Sequence, residues 1–448
     1  VWLCDEDPDD QVLAWCTAHG VRVSCRRGVA DYHRATWPRR TRCKEGNFAY
    51  FYDHWGYREY DVVAQLDCDH VPRPDYLSAV VRPFADPAIG YVAAPSVCDS
   101  NADLSWSARG RLYAEATYHG PMQTGHNAGL APLCVGSHYA VRTQALREIG
   151  GLGPELAEDF STTFLLNSAG WGGAFAIDAE AHGDGPFTIT DMVTQEFQWS
   201  RSLTRLLYDL VPHHLHRLRP AVRIRFGYLV AFYPLLALTV GTGLALPPLA
   251  VVSGVPWVNV NYLAFVAHIA GLAVWPLLLV VLLRRRGLLR PRRAPQLNWE
   301  SLLFVLARWP YVGLGVLAAT LRPSAVSFKV TPKSRTGLEV LPVRVVAPYL
   351  LIALGLAGMA RLGELYTTGA GYVFLCLVGA AGYAVVSTAV PALHMVEAAR
   401  AARDRSNRAG RRAVATAWLP LLLGLASLAC CGLAGVAYPG YAMAALGW

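Results

Sequence analysis

Residues 61–70, DVVAQLDCDH, contain a short apolar run that ends in two aspartates. The run 61–66 is rich in apolar and β-branched residues and two prolines follow it closely, so it predicts a buried β-strand. Strand-like and helix-like segments alternate through the first half of the chain, which is the pattern of a doubly wound α/β sheet. We therefore expect Asp67 and Asp69 at the carboxyl end of a strand, where open α/β sheets bind ligands.

Asp67 and Asp69 have the chemistry of a divalent cation site. They are two residues apart on an extended backbone, so their side chains point the same way. Carboxylate oxygens are the hard ligands that Mg²⁺ and Mn²⁺ prefer, and such an ion can bridge to a diphosphate. An Asp-x-Asp pair also occurs by chance as an acidic turn after a strand, and the pair alone does not separate the two interpretations.

Four other charged positions offer related chemistry. Asp5 ends the strand-like opening of the chain, and Lys44 begins a helix-like segment, Lys-Glu-Gly-Asn, from which its ammonium group could reach a diphosphate. Glu158 and Asp159 open another predicted helix. Acids are favoured there by the helix dipole, but a carboxylate at this position could also take a proton from an attacking hydroxyl group.

A further predicted helix precedes the first long apolar run and carries four candidates, Gln195, Gln198, Trp199 and Arg201. Trp199 could stack on a sugar ring. It could equally anchor the chain at a membrane interface, where tryptophan is enriched. Taken alone, the residue favours the anchor interpretation.

The chain divides into two halves of different composition. Of its 448 residues, 54% are hydrophobic, but residues 1 to about 220 mix charged, polar and apolar residues as a globular domain does. Apolar runs and arginine-rich linkers alternate after that point. Because the net charge of +8 lies largely in the linkers, it indicates membrane topology and not nucleic-acid binding. The runs long enough to span a membrane are 226–250, 262–283, 345–362, 370–393 and 414–438.

A sixth apolar run, 299–321, is interrupted by Glu300, Arg308 and Pro310. Basic linkers also occur at 284–293 and 400–412. If the run 299–321 spanned the membrane, the basic linker that follows it would lie outside, on the opposite side from the linker at 284–293. If it lies in the cytoplasmic interface, every basic linker falls on one side, together with the first half. We therefore predict an interfacial amphipathic helix, with a tilted span as the alternative.

The start of the chain and its cysteines indicate what precedes the first half and in which compartment it lies. The chain opens on a strand-like segment with no initiator methionine, so we expect the protein to extend further toward its N-terminus. None of the ten cysteines forms a CxxC pair with metal spacing. They are expected to be reduced thiols, most of them in a cytosolic domain.

Taken together and in this order, the motifs resemble those of the family 2 glycosyltransferases, in particular the cellulose synthase-like processive synthases. That family has a strand-ending aspartate, a KAGN-type segment, DxD, TED and QxxRW. Their counterparts here are Cys4-Asp5-Glu6-Asp7, Lys44-Glu45-Gly46-Asn47, Asp67-Cys68-Asp69, Ala157-Glu158-Asp159 and Gln195-Glu196-Phe197-Gln198-Trp199. Residues 133–137 are similar to the family's FFCGS acceptor-site segment, and residues 328–333 to its FxVTxK gating loop. The resemblance covers roughly residues 1–395.

The resemblance implies an α/β fold class. A GT-A (Rossmann-like) glycosyltransferase domain is expected over residues 1–220, with its first strand missing, and an α-helical transmembrane bundle over residues 221–448. A gating loop is expected over residues 322–343. Its motif residues are Phe328, Val330, Thr331 and Lys333.

The resemblance also implies roles for single residues. It assigns nucleotide-sugar binding to Asp5, Lys44, Asp67, Gln198 and Arg201; metal binding to Asp67 and Asp69, with Mg²⁺ or Mn²⁺ as the ion; catalysis to Asp159 as general base, beside Glu158; and acceptor binding to Gln195 and Trp199. Two positions depart from the family pattern. Ala157 replaces the threonine of TED, and Gln198 replaces the arginine of QxxRW, which helps to hold the diphosphate. Arg201 matches a second arginine often found after the tryptophan.

These features predict a membrane-embedded, inverting glycosyltransferase that moves sugar from a UDP-sugar to a growing β-linked polysaccharide and translocates the product. The alternatives are a non-processive transferase acting on a lipid acceptor, and a degenerate, non-catalytic partner of a synthase. The expected partners are the nucleotide-sugar donor, a glycan acceptor and the lipid membrane, with no nucleic acid; further subunits of a synthase complex stay open. The expected location is the inner or plasma membrane, with the catalytic domain in the cytoplasm.

Overall fold

The computed structural model describes residues 1–127, 129–255, 262–322, 340–362, 370–402 and 408–437. The strands are Trp2–Cys4 (β1), Arg22–Ser24 (β2), Val62–Leu66 (β3), Val71–Pro72 (β4), Ile89–Ala93 (β5), Ser96–Val97 (β6), His138–Arg142 (β7), Gly172–Phe175 (β8) and Ala181–His182 (β9). The helices of the first half are Asp10–Ala18 (α1), Lys44–Phe51 (α2), Tyr57–Glu59 (α3), Tyr76–Val81 (α4), Trp106–Ala114 (α5), Gln123–Gly125 (α6), Thr143–Glu148 (α7), Glu158–Ser168 (α8), Ile189–Asp209 (α9) and Val211–His214 (α10). The helices of the second half are Pro220–Ser253 (α11), Tyr262–Arg285 (α12), Trp299–Leu321 (α13), Val343–Leu362 (α14), Ala370–Ala401 (α15) and Arg408–Ala437 (α16).

The first half is built on a four-stranded sheet of order β3-β7-β5-β8. β7 runs antiparallel to both β3 and β5, and β8 runs parallel to β5, so the sheet is mixed, not wholly parallel. A two-stranded parallel sheet, β1-β2, and a three-stranded sheet, β4-β9-β6, complete the domain. The predicted fold class, an α/β domain followed by apolar helices, is confirmed.

β3 confirms the strand expected at residues 61–66 and shows why that run is apolar on both sides. Val63 packs into a core cluster on one face of the sheet. Val62, Ala64 and Leu66 pack into a different cluster on the other face. Because successive side chains of a strand point to opposite faces, a strand covered on both faces needs apolar residues at nearly every position.

Six helices of the described residues, α11 to α16, are long and apolar enough to cross a membrane. They include helices over all five predicted spans, and also α13, which covers the run predicted to be interfacial. Length and composition do not distinguish a crossing helix from an interfacial one. The interfacial placement of α13 therefore stays a prediction.

α13 packs along helices of the first half. The Arg109 guanidinium on α5 forms an ion pair with Glu300 at its start, 2.8 Å between Nη2 and Oε1. Arg308 lies opposite Glu196 on α9, 3.7 Å between Nη1 and Oε2. At Gly315, α13 and α9 approach so closely that a Cβ on this glycine would lie 2.1 Å from the Ser200 hydroxyl oxygen. The charged residues that interrupt the apolar run thus have partners on the first half.

Candidate active site

Three of the four residues in the segment 44–47 make contacts that fix the backbone around Lys44. The Glu45 carboxylate accepts the N–H groups of Arg39 and Arg40 at 2.7 and 3.0 Å, which fixes the loop before α2. A Cβ at Gly46 would lie 2.0 Å from the Arg40 carbonyl oxygen, so only glycine fits. Asn47 Nδ2 donates to the Cys4 carbonyl at 2.8 Å and ties α2 to β1. Lys44 is thereby held at the first residue of α2.

Lys44 joins three segments that are far apart in the sequence. Its Nζ lies 2.8 Å from Asp67 Oδ1 and 4.0 Å from Glu158 Oε1, and it donates to the Gly136 carbonyl oxygen. Burial lowers the pKa of Lys44, but Asp67 and Glu158 raise it by more, so the pKa lies above its ordinary value. The ammonium group therefore stays charged at neutral pH.

Asp67, Asp69 and His70 form the candidate metal group. Each offers one ligand atom, and these atoms all lie within 4.8 Å of one another. The Asp67 N–H donates to the Ser137 carbonyl at 2.7 Å, which fixes the turn where β3 ends beside β7. The Asp69 side chain is only 3% exposed, so the turn holds one carboxylate in the interior and the other at the lysine.

His70 was not among the predicted site residues. Its Nδ1 lies 3.2 Å from Asp69 Oδ1 and its Nε2 3.2 Å from the Ser96 hydroxyl. Burial lowers the pKa of His70, but the contact with Asp69 contributes to a net rise to about 9. With both nitrogens engaged, the ring is placed to orient Asp69, as partners of metal-binding carboxylates do. The sequence signal for this residue is its position directly after the Asp-x-Asp pair.

The donor set fits a hard divalent cation. Asp67 and Asp69 supply carboxylate oxygens, which suit Mg²⁺ and Mn²⁺, while the two nitrogens of His70 are engaged with Asp69 and Ser96. Asp67, Asp69 and Asp159 are three carboxylates against the positive charges of Lys44 and His70, while burial raises the pKa of Glu158 to about 8 and keeps it largely protonated at neutral pH. A bound dication would offset this excess of negative charge.

Glu158 and Asp159 begin α8, as predicted, and both are sheltered from solvent. Burial raises the pKa of Glu158, and Lys44 opposes that rise. Within the described part of the chain, Glu158 Oε1 has no hydrogen-bond partner. Asp159 Oδ1 accepts the Phe160 N–H at 2.7 Å. Burial also raises the pKa of Asp159, against hydrogen bonds from the backbone of Phe160 and Gly136.

α9 begins with a capping box, in which the Thr188 hydroxyl accepts the Asp191 N–H at 3.1 Å and the Asp191 carboxylate accepts the Thr188 N–H at 3.2 Å. This start sets the phase of the helix. Gln195 and Trp199, one turn apart, are then half-buried, and Gln198 and Arg201 are buried at 7% and 8% exposure.

Arg111 on α5 is a site residue that the sequence did not indicate. Its Nη1 donates to Gln195 Oε1 at 3.0 Å, and its guanidinium carbon lies 4.5 Å from the centre of the Trp199 ring. Its Nε lies 3.1 Å from Glu115 Oε1. The arginine therefore connects the two predicted acceptor residues and holds the indole through a cation–π contact.

The remaining predicted residues lie apart from the Lys44 cluster or outside the described ranges. The Asp5 N–H donates to the Ser24 carbonyl at 3.1 Å, and its carboxylate accepts the Asp7 N–H at 3.0 Å. Asp5 thus forms the turn after β1, in the small parallel sheet. The predicted gating residues Phe328, Val330, Thr331 and Lys333 lie outside the described residues.

The chain is similar in sequence to known proteins. The model for glycosyl transferase family group 2 matches residues 62–282, from the start of β3 into α12. A cellulose synthase catalytic subunit (UDP-forming) of Pseudomonas fluorescens is 26% identical over 318 residues, which cover 67% of this chain and 40% of that protein. Residues 62–282, just under half of the chain, thus match the family 2 glycosyltransferases.

Two further relatives match the chain over shorter ranges. A cellulose synthase catalytic subunit (UDP-forming) of Xanthomonas axonopodis pv. citri is 26% identical over 155 residues, 33% of this chain and 21% of that protein. The cellulose synthase 1 catalytic subunit (UDP-forming) of Komagataeibacter xylinus is 24% identical over 223 residues, 46% of this chain and 26% of that protein. The chain thus spans about two fifths or less of the length of these relatives.

The family 2 match includes the acidic clusters and α9. Asp5 and Lys44 precede the matched range. In the described ranges, all ten cysteines are free thiols, as expected.

Proposed function

We propose that the chain is a membrane-embedded, inverting glycosyltransferase that uses a UDP-sugar to extend a β-linked polysaccharide and passes the product through its own helices. The observation that carries the proposal is the convergence of Lys44, Asp67 and Glu158 in one cluster, directly beside Asp69 and Asp159. A structural acidic turn would not need a half-buried lysine and a second acidic pair from a distant helix.

Each group in the cluster has a role in the proposed reaction. A divalent cation held by Asp67 and Asp69 would stabilise negative charge on the departing diphosphate. Lys44 stays protonated and supplies a fixed positive charge for the same leaving group. Asp5 is proposed to contact the uridine part of the donor.

Asp159 is the proposed general base. The acceptor hydroxyl attacks the anomeric carbon, its proton passes to the Asp159 carboxylate, and the bond from that carbon to the diphosphate oxygen breaks. One displacement at the anomeric carbon inverts its configuration. Burial raises the pKa of Asp159, which makes the carboxylate a stronger base than an exposed aspartate.

Trp199 and Gln195 are proposed to bind the terminal sugar of the acceptor. The indole offers an aromatic face for a sugar ring, and the contact with Arg111 keeps its orientation fixed. Gln198 and Arg201 are proposed to lie on the donor side, where Arg201 offers a positive charge in place of the arginine that Gln198 replaces.

The membrane arrangement completes the proposal. The catalytic half is placed in the cytoplasm of a cell with an inner or plasma membrane, because the basic linkers then share that side. α13 is proposed to lie in the interface, since its Glu300 and Arg308 pair with the catalytic half. The product would pass from Trp199 into the bundle of the remaining apolar helices.

The proposal is tested by incubating the purified protein in lipid nanodiscs with labelled UDP-sugars and Mg²⁺ or Mn²⁺, then sizing the product. A ladder of long glycans supports processive synthesis. If the product is a lipid that carries a single sugar, the chain is instead a non-processive transferase that acts on a lipid acceptor. Absence of nucleoside diphosphate release with every donor would point to a non-catalytic partner.

A further inference from the structure

The linker between α12 and α13 is buried in the catalytic half. Leu289 and Ala294 are 1% and 0% exposed and share a small apolar cluster with Ala116. The Arg290 N–H donates to the Ala116 carbonyl at 3.1 Å. At Gly120 a Cβ would lie 2.0 Å from the Leu288 carbonyl oxygen, so the linker also abuts that turn. The basic linker is therefore a docked segment of the fold as well as a topology signal.

Arg290 is the charged centre of the docked linker, with an exposure of 2%. Its Nε lies 2.7 Å from Glu180 Oε1 and donates to the Ile177 carbonyl at 3.2 Å. Its Nη1 donates to the Gly287 and Leu289 carbonyls at 2.8 and 2.9 Å. A buried arginine with its donors this fully used is rigidly placed.

Glu180 connects Arg290 to the segment that follows the candidate metal group. Its carboxylate lies 3.1 Å from Arg73 Nη1, and its carbonyl accepts the Arg73 N–H at 3.1 Å. β9 begins at the residue next to Glu180 in the sequence and pairs with β4, which begins at the residue next to His70. Arg73 and Glu180 thus hold the end of this short pairing that lies away from His70.

The next residue after β9 touches His70 itself. A Cβ at Gly183 would lie 2.3 Å from His70 Cε1, so the imidazole rests against the Gly183 backbone. The two ring nitrogens meet Asp69 and Ser96. A continuous chain of contacts therefore runs from Arg290 through Glu180 and β9 to His70 and Asp69.

We propose that Arg290 and Glu180 form a clamp that positions the Asp69–His70 turn for metal binding, and so couples the helices α12 and α13 to the metal site. The inference rests on the proposed function, because it takes Asp67 and Asp69 as the metal ligands. Neither clamp residue contacts those ligands directly, so both are positioning residues. A shift of the linker between the two helices changes metal affinity without changing the ligands.

The test measures Mn²⁺ binding by the full chain, with electron paramagnetic resonance detecting the free ion and no donor present. Arg290→Met keeps much of the side-chain volume and removes the charge and the donors. It should raise the Mn²⁺ dissociation constant by about tenfold, the lower end of what orienting partners of metal ligands contribute. Arg293→Met changes the same residue type in the same linker at an exposed position and should bind as the wild type does.

A second readout separates positioning from general damage. With excess Mn²⁺, Arg290→Met should recover nucleoside diphosphate release close to the wild-type rate, because the ligands and the base are unchanged. If this variant does not fold, as judged by gel filtration, Glu180→Gln and Arg290→Lys take its place, with the same expected weakening.

Three results would count against the clamp. Wild-type Mn²⁺ affinity in these variants overturns it, whether or not thermal stability falls. A rate deficit that excess Mn²⁺ does not relieve overturns it as well. Wild-type protein that binds no Mn²⁺ overturns the proposed metal site, and the clamp with it.

Discussion

Replacing Asp159 with asparagine separates the proposed catalytic role from the structural one. The amide has nearly the shape of the carboxylate, and its oxygen can still accept the Phe160 N–H that Asp159 accepts at 2.7 Å. The start of α8 should therefore be kept. What is lost is the negative charge and the ability to take a proton.

The size of the loss follows from that difference. A positioned general base contributes about 10²- to 10⁴-fold, so transfer by Asp159→Asn should fall by about that factor, or roughly 3–5 kcal/mol in the activation free energy. Stability should move the other way. Burial raises the pKa of Asp159, so the ionised form disfavours folding above that pKa, and a neutral amide removes the penalty. The variant is expected to melt at or above the wild-type temperature.

The assay compares transfer of labelled sugar, UDP binding and thermal unfolding for the wild type, Asp159→Asn, Glu158→Gln and Asp103→Asn, the last being an exposed control. UDP binding should be the same in Asp159→Asn as in the wild type. In the wild type, the acid limb of the pH–rate profile should lie above the ordinary aspartate range, because burial raises the pKa of this base. An active Asp159→Asn, or a greater loss in Glu158→Gln, would refute the assignment.

Three other tests address the metal, the α9–α13 contact and the half-buried ion pair of His182 and Asp99. Chelation by EDTA, or Asp69→Asn, should abolish nucleoside diphosphate release, with Mn²⁺ restoring only the chelated wild type; release that survives chelation would exclude a metal requirement. Gly315→Ala places a methyl group 2.1 Å from a side-chain oxygen on α9 and should lower the unfolding free energy by about 1–3 kcal/mol in denaturant titrations, whereas at Gly313, the control, the nearest atom is 3.9 Å away. The hydrogen bond that the His182 ring donates to Asp99 raises the pKa of His182 to about 9, so the stability that this bond adds is complete below the unfolded pKa of 6.5 and is lost as the pH rises through about 9. In His182→Asn the melting temperature should fall less as the pH rises through about 9. An unchanged dependence of the melting temperature on pH would show that His182 is not the group responsible.

Local signals predicted the elements that carry the candidate site. β3 is evident from its apolar run because a strand covered on both faces leaves little choice of residue. Lys44 and Glu158 fall at helix starts where the sequence placed them. Such features depend on neighbours in the chain, and a sequence shows those directly.

Contacts between distant segments were not predictable in this way. Arg111 meets Gln195 across 84 residues, and nothing in its own helix distinguishes it from a surface arginine. The antiparallel entry of β7 into the sheet likewise depends on pairing with both β3 and β5. The basic linker was interpreted through charge alone, whereas the burial of Arg290 depends on a carboxylate from a different part of the fold.

The contact between α13 and the first half also bears on how the protein can be divided. One core cluster contains Trp106, Ile189 and Met192 from the first half together with residues of α13, α14 and α15, such as Phe304 and Tyr349. A boundary drawn near residue 220 by composition therefore cuts through a shared interior. A fragment that ends there would present this apolar surface to water, so the two halves are expected to fold as one unit.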